Sequence, residues 1–340
     1  MKTPRISLFS LFSLFAVFCC SLAGSALAAS TPIEPVVSIA FVGDIMLDDT
    51  PGKYVKKGHD PFAPFASLLN AADIRVGNLE CVIATVGSAE ADKPYTFRAH
   101  PRNLKFLKQH FDVVSLANNH TGDFGPAAFD EMLLLLTKNK IGYFGGGANL
   151  SQAHTPFIIE RNGLKIALLG YDEFFPRSFE ADFDKSGVAW SEDEQVQFDI
   201  RRARTEFHAD LVIPMMHWGW EHEGLASPRQ HQLARLMIDS GADAVVGGHP
   251  HVTQDIEHYQ GKPIIYSLGN FVFDGFTSTD NNTGWVLRME LDSRGVRNWR
   301  IDSAHIDKLG IPHPAKPPKT NESTKCWQRG DAESSQCTAQ

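Results

Sequence analysis

Short apolar runs alternate with amphipathic stretches along most of this chain. Residues 36–42, 74–79, 112–116, 164–169, 211–216 and 244–247 are compact apolar runs, and they predict strands. Residues 62–72, 104–111 and 129–136 instead carry apolar side chains at three- and four-residue intervals, which predicts helices with one buried face. Ser191-Glu-Asp-Glu194 has the pattern of a capping box opening a helix through Phe207, and Ser227-Pro228 opens another that Gly241 can end. The alternation predicts a layered α/β fold with helices covering a mixed sheet. After His251 the rhythm changes. Residues 252–256, 262–268, 285–291 and 299–304 read as strands with turns at Gln260-Gly261 and Ser293-Arg-Gly295, predicting a second, more antiparallel sheet. From Asp307 the chain turns rich in Pro, Lys, Ser and Thr, so residues 29–306 form the expected domain and 307–340 a tail.

The N-terminus bears on where the protein works. Lys2 and Arg5 precede an apolar stretch from Ile6 to Leu22, followed by the small-residue segment Ser25-Ala-Leu-Ala28. This is the pattern of a signal peptide over residues 1–28, predicting a secreted or periplasmic protein with no stable membrane span once it is cut. An uncleaved N-terminal membrane anchor is the alternative. Cleavage removes two of 32 basic and none of 40 acidic residues, leaving 30 against 40 and a net charge of −10. That balance disfavours nucleic acid as a partner. Cys326 and Cys337 lie close together in the tail, where an oxidising compartment favours a disulfide. Cys81, inside an apolar run, is expected to pack as a small hydrophobe.

The polar residues that matter sit where strands end. Phe41-Val-Gly-Asp44 closes the first strand with a carboxylate, and Val76-Gly-Asn-Leu-Glu80 closes another with an amide and a carboxylate. Asn119 and His120 follow a third, His217 ends a fourth, and Gly247-Gly-His249-Pro-His251 delivers two histidines from a glycine pair. Ligands of open α/β sheets gather at this carboxyl edge, so these side chains are expected to converge from five segments. Taken singly, each has an ordinary explanation: Asp44 can cap a helix, Asn119 can hold a turn, and His217 can be a core histidine. Jointly they mix oxygen and imidazole donors, a set suited to one or two transition-metal ions, Mn, Fe or Zn, rather than calcium. Glu80 is the candidate bridge of a two-metal arrangement.

Six segments carry a resemblance. Gly43-Asp-Ile-Met46, Gly77-Asn-Leu-Glu80, Leu116-Ala-Asn-Asn-His120, His217-Trp-Gly219, residues 241–252 and Tyr266-Ser-Leu-Gly-Asn-Phe-Val272 together resemble the CapA/PgsA poly-γ-glutamate capsule-synthesis family, over roughly residues 37 to 275. The resemblance implies a fold similar to calcineurin-like metallophosphoesterases, an α/β/β/α arrangement with metal ligands at strand ends. It implies an extracytoplasmic protein assisting synthesis or export of an anionic capsule polymer, with that polymer or its membrane synthesis machinery as partner. It would place Asp44, Glu80 and His251 at a first metal, Asn119, His217 and His249 at a second, and His120 as general acid. Two positions differ from the phosphoesterase pattern: Met46 stands where a histidine is usual, and Glu80 where an aspartate bridges.

Two further chemistries stay open. One is a secreted metal-dependent hydrolase of phosphoester, amide or glycan-linked bonds; the other is a metal-independent acid–base pair built from Asp44 with His120 or His249. No Gly-x-Ser-x-Gly or phosphate-loop pattern occurs, against serine-hydrolase and nucleoside-triphosphatase chemistry. Trp218 and Glu221, following His217, are candidates for a substrate wall, an aromatic face for sugar or peptide beside a carboxylate for a cation or amine; a packed loop is the plainer reading. Asn270 is a further substrate-binding candidate, or it orients a ligand histidine from behind.

Overall fold

A computed structural model describes residues 35–177 and 179–315. The signal-type segment 1–28 and the Cys326/Cys337 pair lie outside the described residues. Among the described residues one sheet has eight strands, in the order Pro312–Pro314, Gly295–Ile306, Thr283–Asp292, Val37–Ile45, Ile74–Leu79, Val113–Ser115 and Gly142–Phe144, with Asn270–Val272 pairing beside Val37–Ile45. A second has six, in the order Ile256–Tyr259, Lys262–Ile265, Val245–Gly248, Leu211–His217, Leu164–Asp172 and Phe157–Arg161.

Period-two burial sorts the side chains into layers. Ile39, Phe41, Val76 and Val113 of the first sheet meet Ile166, Ile213, Met215 and Val246 of the second in a shared core. Their neighbours along the strands point the other way: Ala40, Val42 and Val114 pack with Phe65, Leu107 and Phe129. On the far side Ala167, Val212 and Met216 pack with Val196, Ile200, Leu233 and Met237 of the helices Asp193–Thr205 and Pro228–Asp239. The result is the expected helix–sheet–sheet–helix stack.

Strands after His251 divide between the two sheets. Lys262–Ile265 lies parallel to Val245–Gly248 and extends the second sheet, whose parallel centre carries an antiparallel hairpin at each edge. The Thr283–Asp292 and Gly295–Ile306 hairpin instead runs antiparallel to Val37–Ile45 in the first sheet. Its alternating burial suits a sheet flank with one wet face, a property legible in sequence that does not say which sheet is joined. The segment read as tail begins later than Asp307, since Pro312–Pro314 pairs with Gly295–Ile306.

Two helix starts differ in instructive ways. Ser227 forms its capping box with Gln230. Ser191 does not cap: Glu192 occupies that position without a side-chain bond, and the Ser191 amide donates instead to the Asp172 carbonyl at the end of a strand. The 62–72 stretch divides into a 3-10 turn, Ala63–Phe65, and a short helix, Ala66–Asn70; Pro64, lacking an N–H, sits in the opening turn.

Candidate functional site

The carboxyl ends of the parallel strands in both sheets open on one rim, and the chain forks there. Residues 37–42 pair antiparallel with Thr283–Asp292, whereas Asp44 and Ile45 pair parallel with Asn270 and Val272. This fork shifts the register at Asp44 and turns its carboxylate, fully buried, toward the second sheet. Gly248 of Gly247-Gly-His249 meets it: a Cβ there would stand 2.6 Å from Asp44 Oδ1. His249 and His251 both adopt left-handed backbone, φ 95° and 55°, and the His249 N–H donates to Asp44 Oδ2 at 3.2 Å.

Asp44, Glu80, His217, His249 and His251 are drawn into one buried cluster. Ligand-type atoms of Glu80, His217 and His249 lie within 4.8 Å of one another, as do those of Asp44, Glu80 and His251. Glu80 belongs to both triplets, the position expected of a bridge. Its Oε1 stands 3.8 Å from His217 Nε2 and 3.7 Å from His251 Nε2. Asn119 Oδ1 is 2.7 Å from His217 Nε2, so the amide also joins. His251 Nδ1 meets Asn270 Oδ1 at 2.8 Å, which leaves Nε2 facing Glu80.

Electrostatics make this cluster costly without a cation. Burial, then the Asp44 charge, pushes the Glu80 carboxyl well above its usual range. Burial likewise raises Asp44, against the pull of His251 and of hydrogen bonds from Asn78 and His249. Burial and neighbouring imidazoles hold His217 and His249 well below 6.5, neutral with lone pairs available. Two buried atoms in one triplet, Glu80 Oε1 and His249 Nε2, have no hydrogen-bond partner. Glu80 Oε1 is an orphaned carboxylate oxygen and His249 Nδ1 stands 3.0 Å from His217 Nε2, so one buried triplet combines a carboxylate with two neutral imidazoles, a donor set that fits a divalent transition ion.

Around this centre three imidazoles are backed by phenylalanine rings. Phe174 lies 4.0 Å from the His249 ring, Phe97 4.5 Å from His120 and Phe273 4.8 Å from His251. His120 Nδ1 meets Asp123 Oδ2 at 2.8 Å, an arrangement that fixes one ring nitrogen and frees the other.

Two expectations need correcting. Trp218 is no substrate wall: it is fully buried among the helix-side apolar residues, with Nε1 donating to the Tyr266 carbonyl at 2.8 Å. Asn270 is fully buried and spends its amide on His251 and the carbonyls of His251 and Asn281, so it orients a histidine rather than contacting substrate. Met46 points away from the cluster into the helix-side core, its sulfur accepting from the Asp48 N–H. Glu221 is exposed, yet its charge is felt by Glu80, which places it near the mouth.

Asn78, noted as an amide at its strand end but not among the expected site residues, donates from Nδ2 to Asp44 Oδ1 at 2.8 Å and reaches His217 Nδ1 at 3.2 Å. The signal was there, since positions 78 and 80 share a face of an extended chain. Asn118 supports it, donating to Asn78 Oδ1 and the Leu79 carbonyl. Asp123 stands three residues after His120, a spacing that could have marked it. Lys93, which reaches Asp123 from a loop thirty positions away, carried no local signal.

A family described as "Bacterial capsule synthesis protein PGA_cap" matches residues 38–275. "PGA biosynthesis protein CapA" of Bacillus subtilis (strain 168) is 34% identical over 301 residues, covering 86% of this chain and 77% of that protein. "Capsule biosynthesis protein CapA" of Bacillus anthracis is 33% identical over 291 residues, covering 82% and 69%. A Mycobacterium tuberculosis protein named as a "polyglutamine synthesis accessory protein" is 32% identical over 217 residues, covering 60% and 56%. Among solved structures, the NAD nucleotidase NadN of Haemophilus influenzae aligns with TM-score 0.45 and 13% identity over 83% of this chain, and the chain spans 54% of it. The protein TT1561 of Thermus thermophilus aligns with TM-score 0.45 and 12% identity, covering 78% and 98%.

Proposed function

The chain belongs to the bacterial capsule synthesis family PGA_cap, and from that membership we propose that it is an extracytoplasmic accessory factor for a γ-linked polyglutamate-type capsule polymer, acting through a strand-end metal cleft. The observation that carries the metal part is the pair of partnerless buried atoms, Glu80 Oε1 and His249 Nε2. The signal-type segment at residues 1–28 supports the location, and the names of the Bacillus relatives support the polymer.

Asp44, Glu80 and His251 would hold one ion, and Glu80, His217 and His249, with Asn119 beside them, a second. A bound divalent ion there supplies Lewis acidity toward an acyl or phosphoryl oxygen and acidifies water. The chain's own residues prepare the rest. Asn78 donates to His217 Nδ1, leaving the His217 proton on Nε2 toward Asn119 until a ligand replaces it. Asn270 holds His251 by Nδ1, and the aromatic rings beside the imidazoles exclude water. His120, fixed by Asp123, offers its free ring nitrogen for proton exchange with a bound group.

A second reading, a secreted hydrolase cutting amide bonds, shares this site and is favoured by the His120–Asp123 pair, which a purely binding cleft does not require. Purified protein supplied with manganese and incubated with γ-linked polyglutamate separates them. Polymer bound at low salt, released as salt rises and unshortened supports the accessory role; shortened polymer supports the hydrolase; polymer neither bound nor shortened refutes both.

A further inference from the structure

The protein is acidic overall, so a polyanion approaching the cleft needs a local cation. Arg177 is paired with Glu180 and Glu192, and Arg229 with Glu173 and Asp193. Arg98 spends its guanidinium on the carbonyls of Val86 and Gly87 and lies over Phe124. Lys93 differs in where it is held. Its ammonium donates at 2.5 Å to the carbonyl of Asn119, the residue whose side chain meets His217, and at 2.5 Å to the fully buried Asp123 carboxylate that holds His120.

Asp123 also accepts from the Phe97 N–H, so one carboxylate fixes His120 and both Lys93 and Phe97 of the long loop that carries them. An ammonium has three donors. Two are committed among the described residues, and with the side chain 21% exposed the third is open to a ligand. The field of Lys93 is felt by His120, by His217 and by Asp172, all on the rim. A cation held by two anchors loses little freedom when it takes a third partner.

We propose that Lys93 is the specificity-determining cation of this cleft, recognising the free carboxylate of the γ-linked glutamate unit seated there and discriminating it from the amide of a glutamine unit. The inference rests on the polymer reading above. It addresses a real fork, because the relatives' names divide between PGA and polyglutamine.

The test compares short γ-linked glutamate oligomers with the same oligomers carrying amides in place of the free carboxylates, titrated into the full protein. Wild type is expected to prefer the carboxylate form, and Lys93→Gln to lower that carboxylate-over-amide preference about tenfold. Because Lys93→Gln leaves Asp123 short of a donor, a second measurement uses wild type alone: the carboxylate oligomer should shield the Lys93 amine from acetylation, read by mass spectrometry, and the amide oligomer should not. If wild type binds both oligomers equally, or the lysine is not shielded, Lys93 has no such role while the polymer reading stands. If wild type binds neither, the polymer reading itself falls, and this inference with it.

Discussion

Replacing Glu80 with glutamine should move stability in opposite directions with and without metal. In the metal-free protein Glu80 is fully buried and its ligand oxygen lies within 4.8 Å of that of Asp44. At an effective dielectric constant of about 20 their mutual repulsion is about 3 kcal/mol when both are ionised. The Glu80 carboxyl is held well above 4.5 by burial first and Asp44 second. A group whose folded-state pKa is raised contributes stability below its unfolded value and loses it as pH climbs through the folded one. Metal-free wild type should therefore weaken from about pH 4.5 upward, and Glu80→Gln should lose less, ending up to about 3 kcal/mol more stable at about pH 8. Metal reverses the comparison: free ion at about 100 times its Kd stabilises wild type by about 2.7 kcal/mol, and the variant, without a charged bridge, should gain little. The assay is chemical denaturation in chelator and in excess manganese at several pH values. A variant less stable than wild type in chelator at high pH, or one gaining as much from manganese, would refute the reasoning.

Asp172, 4% exposed, has its carboxyl raised from 3.8 to about 7, chiefly by burial. Asp172→Asn should match wild type near pH 4 and exceed its stability by up to about 4 kcal/mol near pH 8, a gap read from denaturation midpoints across pH. Trp218→Phe leaves the Tyr266 carbonyl without its donor and should cost about 2 kcal/mol of stability while polymer affinity, by titration, stays unchanged. Ser227→Ala removes the capping box of the Pro228–Asp239 helix and should lower stability by about 1 kcal/mol, with no effect on metal content by elemental analysis.

The strand ends were the legible part of this chain. Apolar runs closed by Asp44, Glu80, His217 and His249 declare both the strands and the edge where polar groups collect, because each run is bounded by the residue that must leave the core. The glycine pair before His249 likewise carried its meaning in sequence, since the close approach of Gly248 to Asp44 and of Gly247 to the Tyr266 carbonyl leaves no room for a side chain at either. Sheet membership after His251 was not legible: alternation announces a half-buried strand, not its neighbour. Trp218 misled because burial depends on what the opposite layer offers, here Tyr266 and the helices above it. Lys93 and Asp123 meet only in the folded chain, through a loop whose composition gives no hint of its path.

Whether Glu80 and His249 share a cation can be read from crystals grown with manganese. An anomalous-scattering peak is expected at coordinating distance from both Glu80 Oε1 and a ring nitrogen of His249, absent in crystals of His249→Ala. Density in which these two atoms face only water, with no anomalous peak between the two sheets under saturating manganese, would contradict it.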